Sequence, residues 1–336
     1  MARPINRMWR LGRQPEGEPV DDDVAWAEEP TAEPGDGEVV VRVGQVLVDS
    51  LLRTTGLPPV AVGEVMRGAA SGVVLESRDP AVPVGARVSG LLGWQTHARV
   101  AGSQVFVHDP ARPFTDDDYL GVLNYLGATA YFAVRDVLQV TAADTLVITA
   151  GAGAVGSLAG QLAKQEGARV VGIATTPERC RWMTEELGFD VAIDRRAEDL
   201  GPALARSCPD GLTACLDGSG GAVLDACLGR LAMHARIALF GTAQATRAPG
   251  PAQFPAVVTK RARLQGFSFL DYPLRLEEAL AELGAKRAAG TLKYRLETLP
   301  GLEHAPAAMR RVKGEDETIV LRVGAPLAHR ARASGA

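Results

Sequence analysis

Residues 144–174 read DTLVITAGAGAVGSLAGQLAKQEGARVVGIA, and this stretch decides the fold. Its opening, Thr145-Leu-Val-Ile-Thr, is a short apolar run rich in β-branched residues, the pattern of a buried strand. Gly151-Ala152-Gly153-Ala154-Val155-Gly156 follows and opens an amphipathic segment, 155–165, with small residues on one face. A second strand, 168–174, comes next. Strand, glycine turn, helix, strand is the context in which the G-x-G-x-x-G spacing carries chemical meaning. The first glycine permits a tight turn, the second lets the backbone approach a pyrophosphate, and the third lets helix and strand pack closely. The helix start, with Ala154 and Val155 in it, offers N–H groups and a partial positive charge to that anion. A dinucleotide site is the expectation.

Working outward, strands alternate with helices from residue 124 onward. Helices are predicted over 128–138 and 177–187, the latter with Pro177 in its first turn. Short strands are predicted at 191–194, 213–217, 235–240 and 263–267, and a helix over 275–289. This β-α-β-α order predicts a parallel, doubly wound sheet, an α/β fold. Residues 1–125 have another texture. Val-rich runs at 38–43, 72–77, 85–90 and 95–100 are separated by Gly and Pro, which fits a small β-barrel-like domain. Residues 291–295, a further helix and Thr318-Ile-Val-Leu-Arg-Val return to that first domain. The organisation is therefore 1–124 with 293–323 as one domain and 125–292 as the dinucleotide domain. Residues 324–336 are expected to be a disordered tail.

The second strand of the dinucleotide unit selects the cofactor. An NAD site places Asp or Glu at its end to accept from the ribose 2′-OH. Here the strand ends Ile173-Ala174-Thr175-Thr176, with no acid. Both threonines can donate to a phosphate, Arg179 follows within a turn, and Arg195 follows the third strand. NADPH is therefore expected over NADH. Glu178 is nearby but lies inside the helix, where it can pair with an arginine.

Composition bounds the remaining classes. The 336 residues carry a net charge of −4 and no basic stripe, so nucleic acid is not an expected partner. No run of 18 apolar residues occurs, so no membrane span is expected, and the N-terminus lacks the apolar region of a secretory signal. A cytoplasmic location follows as the expectation. Cys180, Cys208, Cys215 and Cys227 form no C-x-x-C pair and are read as reduced thiols. The histidines at 97, 108, 234, 304 and 329 stand singly. No metal site is expected.

The chain resembles the zinc-independent medium-chain dehydrogenases/reductases, the enone reductases of the prostaglandin reductase and curcumin reductase type. The residues that carry the resemblance are Gly63-Glu-Val-Met-Arg-Gly, Gly93-Trp94-Gln, Gly127-Ala-Thr-Ala-Tyr-Phe, the turn at 151–157, Glu185-Glu-Leu-Gly-Phe-Asp, Gly266-Phe267 and Asp271-Tyr272. The resemblance implies a GroES-like catalytic domain beside a Rossmann domain. It implies NADPH-dependent, metal-free reduction of a conjugated C=C bond, with hydride added to the β-carbon of an α,β-unsaturated carbonyl. It also implies a homodimer joined through sheet edges, for which the strands at 235–240 and 264–269 are the candidates. By the same resemblance Thr129 lies against the nicotinamide end, Arg179 and Arg195 serve the 2′-phosphate, Gly241 belongs to the cofactor site, and Phe267 and Phe269 belong to the strand whose backbone holds the carboxamide.

The chain also departs from the family pattern. A tyrosine after the family's Gly-Ala-Ile-Ser segment is replaced by Thr246. A second tyrosine is missing from Asp49-Ser50-Leu51-Leu52-Arg53, and a Gly-x-Asn-x-Gly-Lys run shortens to Gly314-Glu-Asp-Glu. These changes clear phenols from the pocket, where Leu51, Arg53 and Trp94 would line the substrate. Tyr272, Thr246, Tyr125 and water are left as proton donors. Three readings stand: an enone or alkenal reductase; a biosynthetic reductive cyclase that adds hydride to a conjugated polyene and lets the anion close a ring; and a non-catalytic NADPH-binding protein.

Overall fold

The computed structural model describes residues 3–15, 20–49, 58–241, 251–312 and 318–323. An antiparallel hairpin of β1 (Ile5–Leu11) and β2 (Val24–Pro30) opens the chain. The first domain continues with β3 (Glu38–Val48), β4 (Ala70–Ser77), β5 (Arg87–Gly90), β6 (His97–Ala101) and β7 (Val105–Val107). The helices α1 (Asp116–Gly121) and α2 (Tyr125–Phe132) then lead into the second domain. That domain runs β8 (Thr145–Ile148), α3 (Ala154–Gln165), β9 (Arg169–Ala174), α4 (Pro177–Arg181), β10 (Val191–Asp194), α5 (Leu200–Ser207), β11 (Leu212–Asp217), α6 (Gly221–Leu228), β12 (Leu231–Leu239), α7 (Pro255–Thr259) and β13 (Arg263–Gly266). The chain closes with α8 (Leu276–Ala288), β14 (Glu297–Pro300), α9 (Ala305–Arg311) and β15 (Ile319–Arg322).

The second sheet has the order β10-β9-β8-β11-β12-β13, and every pair in it is parallel. This is the doubly wound arrangement expected. Its central strands β8, β9 and β11 are apolar on both faces, as a sheet covered on both sides requires. Leu146 and Ile148 of β8 face one core with Val170 and Leu216, while Val147 faces the other with Val171, Ile173 and Ile237. Cys208, Cys215 and Cys227 lie buried in that second core. The first domain's sheet runs β14-β15-β3-β4-β5-β7, with β6 also on β3. The valines of β3 alternate into its core at 39, 41 and 43. Strand β15 pairs antiparallel with β3.

Several boundaries differ from expectation for local reasons. The helix predicted from 128 starts at Tyr125, because the Asn124 side chain accepts from Leu126 N at 2.8 Å and caps it. Both this helix and α4 widen into π-helical turns, at Ala133–Val137 and Trp182–Glu186. Residues 291–295 join no sheet. Instead the Gln161 side chain acts as a strand would, donating to Lys293 O at 2.8 Å and accepting from Lys293 N at 2.8 Å. The β1–β2 hairpin and α1 carry no sequence signal of the kinds used above. The strand at 235–240 belongs to β12, which is paired on both sides, so it is not a sheet edge; β13 is. Residues 324–336 lie outside the described residues.

Candidate cofactor site and catalytic cleft

In a doubly wound sheet, ligands bind beyond the carboxyl ends of the strands where the winding reverses. Here that point lies between β8 and β11. The glycine turn closes the end of β8. Gly151 N donates to Ile173 O at 2.9 Å, which pins the turn to β9. A Cβ at Gly151 would stand 2.9 Å from Gly172 Cα, and one at Gly156 would stand 2.0 Å from Ala150 O. Both positions admit only glycine because backbone lies against them. Gly153 is the N-cap of α3 and supplies no side-chain cap to it. The N–H groups of the first turn, from Ala154 and Val155 onward, are thus left for an anion beyond the helix.

The end of β9 gathers the residues expected to meet a 2′-phosphate. The hydroxyl of Thr176 accepts from Arg179 N at 3.3 Å and caps α4, and Pro177 occupies the first helical position. The Arg179 guanidinium reaches back and donates to Thr175 Oγ1 at 2.8 Å. Arg195 N donates to Ala174 O at 3.0 Å, so Arg195 stands at the end of β10 beside them. Glu178 turns outward to Arg295, at 3.2 Å. No carboxylate ends β9, and the donor set of two hydroxyls and two guanidinium-bearing residues suits a phosphate.

The opposite wall is formed by β11 and β12. Asp217 ends β11 and is followed by Gly218-Ser219-Gly220. Gly241 follows β12 so closely that a Cβ on it would stand 2.9 Å from Gly218 O. Thr149, at the end of β8, donates to Asp217 Oδ1 at 2.7 Å. Sequence reasoning passed over this Thr149–Asp217 pair. Its signal is a carboxylate directly before a glycine-rich run at a strand end.

Helix α2 packs against the end of β3. Tyr125 is buried, and its hydroxyl donates to the carboxylate of Asp49, which follows β3. Burial, and then the Asp49 charge, push its pKa well above the usual phenol value. The ring of Phe269 lies 5.7 Å from that of Tyr125. Thr129, one turn along α2, donates its hydroxyl to Tyr125 O at 2.7 Å. Tyr125, Thr129, Phe269 and Asp49 are thus brought together. Phe267 N donates to Leu239 O at 3.2 Å and extends the pairing of β13 with β12. Tyr272 is placed elsewhere. It stacks flat on Phe132 at 4.0 Å, and Phe132 lies seven residues, about 10 Å, along α2 from Tyr125. Burial first, then the Asp136 charge, raise the Tyr272 pKa. Trp94 is 3% exposed and packs in the core of the first sheet. Leu51, Arg53 and Thr246 lie outside the described residues. Among the described residues no group of three His, Cys, Asp or Glu stands close enough to hold a metal ion. No helix among them is long and apolar enough to cross a membrane.

Residues 7–107 match the family described as the N-terminal domain of oxidoreductase, and residues 154–285 match the zinc-binding dehydrogenase family. The chain is 38% identical to the NADPH-dependent curcumin reductase of Escherichia coli (strain K12) over 316 residues, covering 90% of this chain and 91% of that one. It is 31% identical to prostaglandin reductase 1 of Oryctolagus cuniculus, covering 92% and 90%. Among solved structures, CurA of Vibrio vulnificus in complex with NADPH superposes with a TM-score of 0.88 at 33% identity, covering 95% of this chain and all of that one. Fold, cleft and these likenesses together define a medium-chain dehydrogenase/reductase. Within that class the chain belongs to the zinc-independent branch of the curcumin and prostaglandin reductases.

Proposed function

We propose that the chain is an NADPH-dependent reductase of the C=C bond of α,β-unsaturated carbonyl compounds. The observation that carries the cofactor half is the end of β9, where Thr175, Thr176 and Arg179 stand with Arg195 beside them and no carboxylate ends the strand. The reaction half is supported by the relatives, which are named as reductases of curcumin, prostaglandins and 2-alkenals. The glycine turn and the start of α3 would hold the pyrophosphate. Arg179 and its neighbours would hold the 2′-phosphate, and Thr129, Gly241, Phe267 and Phe269 would border the nicotinamide. When bound there, NADPH supplies a hydride to the β-carbon.

The protein's remaining task is to polarise the carbonyl and return a proton at the α-carbon. Of the candidates Tyr125, Tyr272 and Thr246, Tyr125 is favoured because it stands with Thr129 and Phe269. Its hydroxyl hydrogen now points to Asp49, so it must turn from that carboxylate to a substrate oxygen. Domain boundaries of 1–124 with 293–323, and 125–292, fit this division of labour. A cytoplasmic homodimer completes the reading. The edge strand β13 supports the dimer, together with the exposed apolar side chains of Phe254, Val258 and Leu274.

The test is NADPH oxidation against a panel of enones and alkenals, with product analysis. Saturated carbonyl products are expected. A product that has gained a ring, with no turnover of simple enones, would move the assignment to a reductive cyclase. Arg179→Ala should raise the NADPH dissociation constant about tenfold or more while leaving that for NADH nearly unchanged, since only the phosphate contact is lost. Equal effects on both would remove Arg179 from the site.

A further inference from the structure

We propose that Asp217 is a positioning residue of the dinucleotide crevice, whose buried carboxylate ties the turn after β8 to the loop before α6 and so fixes the spacing of the two walls. The inference rests on the NADPH reading above. Asp217 is 1% exposed and Thr149 is 2% exposed. Thr149 Oγ1 donates to Asp217 Oδ1 at 2.7 Å and accepts from Gly218 N at 3.1 Å. The same carboxylate accepts from Ser219 N at 3.3 Å and from Gly220 N, at 3.2 Å to Oδ1 and 3.0 Å to Oδ2. Ser219 Oγ donates back to Thr149 O at 3.4 Å. Asp217 O accepts from Phe240 N at 3.0 Å, which brings in the end of β12 and, one residue on, Gly241. One side chain and its backbone therefore hold the carboxyl ends of β8, β11 and β12 in a single network.

This arrangement is not the one that packing alone favours. Burial pushes the Asp217 pKa above the usual carboxylate value, and only hydroxyl and N–H donors, from Thr149, Gly220 and Ser219, oppose it. A raised folded-state pKa means that the folded chain binds the proton more readily than the unfolded one. Folding stability is therefore lost as pH rises from the unfolded value through the folded one. A carboxylate buried at a switch point and bonded to both walls of a crevice is placed for the ligand and not for the fold.

The test compares NADPH affinity, read by quenching of intrinsic tryptophan fluorescence, with the melting temperature of the ligand-free protein. It uses the wild type, Thr149→Val, Thr149→Ser and Asp217→Asn. Failure of the wild type to bind NADPH would overturn the cofactor reading itself, before any variant is compared. Given wild-type binding, Thr149→Val should weaken NADPH about tenfold, the loss of one hydrogen bond to a buried charge. Thr149→Ser should restore wild-type affinity. Asp217→Asn should weaken NADPH by more than its change in melting temperature accounts for, and it stands in if Thr149→Val does not fold. Wild-type affinity in Thr149→Val or in Asp217→Asn overturns the proposal, as does a loss of affinity that follows the loss of melting temperature across the set.

Discussion

The charges of single side chains set how this chain should respond to pH. His108 is buried, its ring stacked on Tyr119 at 3.5 Å, and its backbone N–H bonds to Arg87 O. Burial, then the Arg87 charge, lower its pKa to about 3. The facing carboxylate, Asp116, is ion-paired with Arg87. A histidine whose folded pKa is depressed binds its proton only in the unfolded chain at mildly acid pH. Its contribution is present above pH 6.5 and is lost as pH falls from there toward 3, with a slope of at most about 1.4 kcal/mol per pH unit. His108→Phe keeps the stack and removes the titration. Thermal melts between pH 7 and 5 should therefore show a shallower decline in the variant, and parallel curves would refute the assignment. At the same scale, Tyr125→Phe should lower kcat while leaving NADPH affinity unchanged, because on the proposed reading the phenol serves the substrate carbonyl and not the phosphates.

At the scale of elements, two glycines should behave oppositely. Gly156 begins α3 against Ala150 O, which is backbone and cannot yield. Gly156→Ala should cost about 3 kcal/mol in a denaturant melt. Gly201 lies in α5 with open space about it and an ordinary φ, so Gly201→Ala should gain roughly 0.5 kcal/mol. The sequence announced the first through its motif and was silent on the second. The same division runs through the whole chain. The parallel sheet was legible because each strand is an apolar run set off by turn residues, and the glycine spacing identified one end of it. Thr175 and Arg179 were legible because a strand end with a missing acid is a local feature. Asp217 was not, since its meaning depends on Thr149, 68 residues away, and only the sheet order brings the two together. The burial of Trp94 was not legible, because a Gly-Trp pair looks the same in a pocket wall as in a barrel core. The Gln161 clamp on Lys293 mimics a strand with one side chain, which no periodicity can report.

At the scale of the molecule, β13 leaves one edge of the parallel sheet unpaired, and Val258, at 75% exposure, and Leu274, at 97%, are exposed apolar side chains of the same domain. Light scattering of the purified protein should give a dimer, and Val258→Asp with Leu274→Asp should halve the mass without lowering the helix signal. A monomeric wild type would leave that surface to some other purpose. Across the proposed boundary Tyr125 donates to Asp49. Three of the four thiols lie buried in the core of the parallel sheet. The compounds proposed as substrates are soft electrophiles that alkylate exposed thiolates. Cys208, Cys215 and Cys227 are sealed in the core, with burial pushing Cys208 up to about 11 and its neighbour Cys227 helping to raise Cys215 well above the ordinary thiol value. Thiolate, not thiol, is the reactive form. Cys180, half-buried on α4 next to Arg179, is the one left within reach. Mass spectrometry after incubation with an excess of an alkenal should find a single adduct, at Cys180, and NADPH should slow its appearance. On the reductase reading, such compounds would spare the three core thiols and put the cofactor site at risk through Cys180 alone.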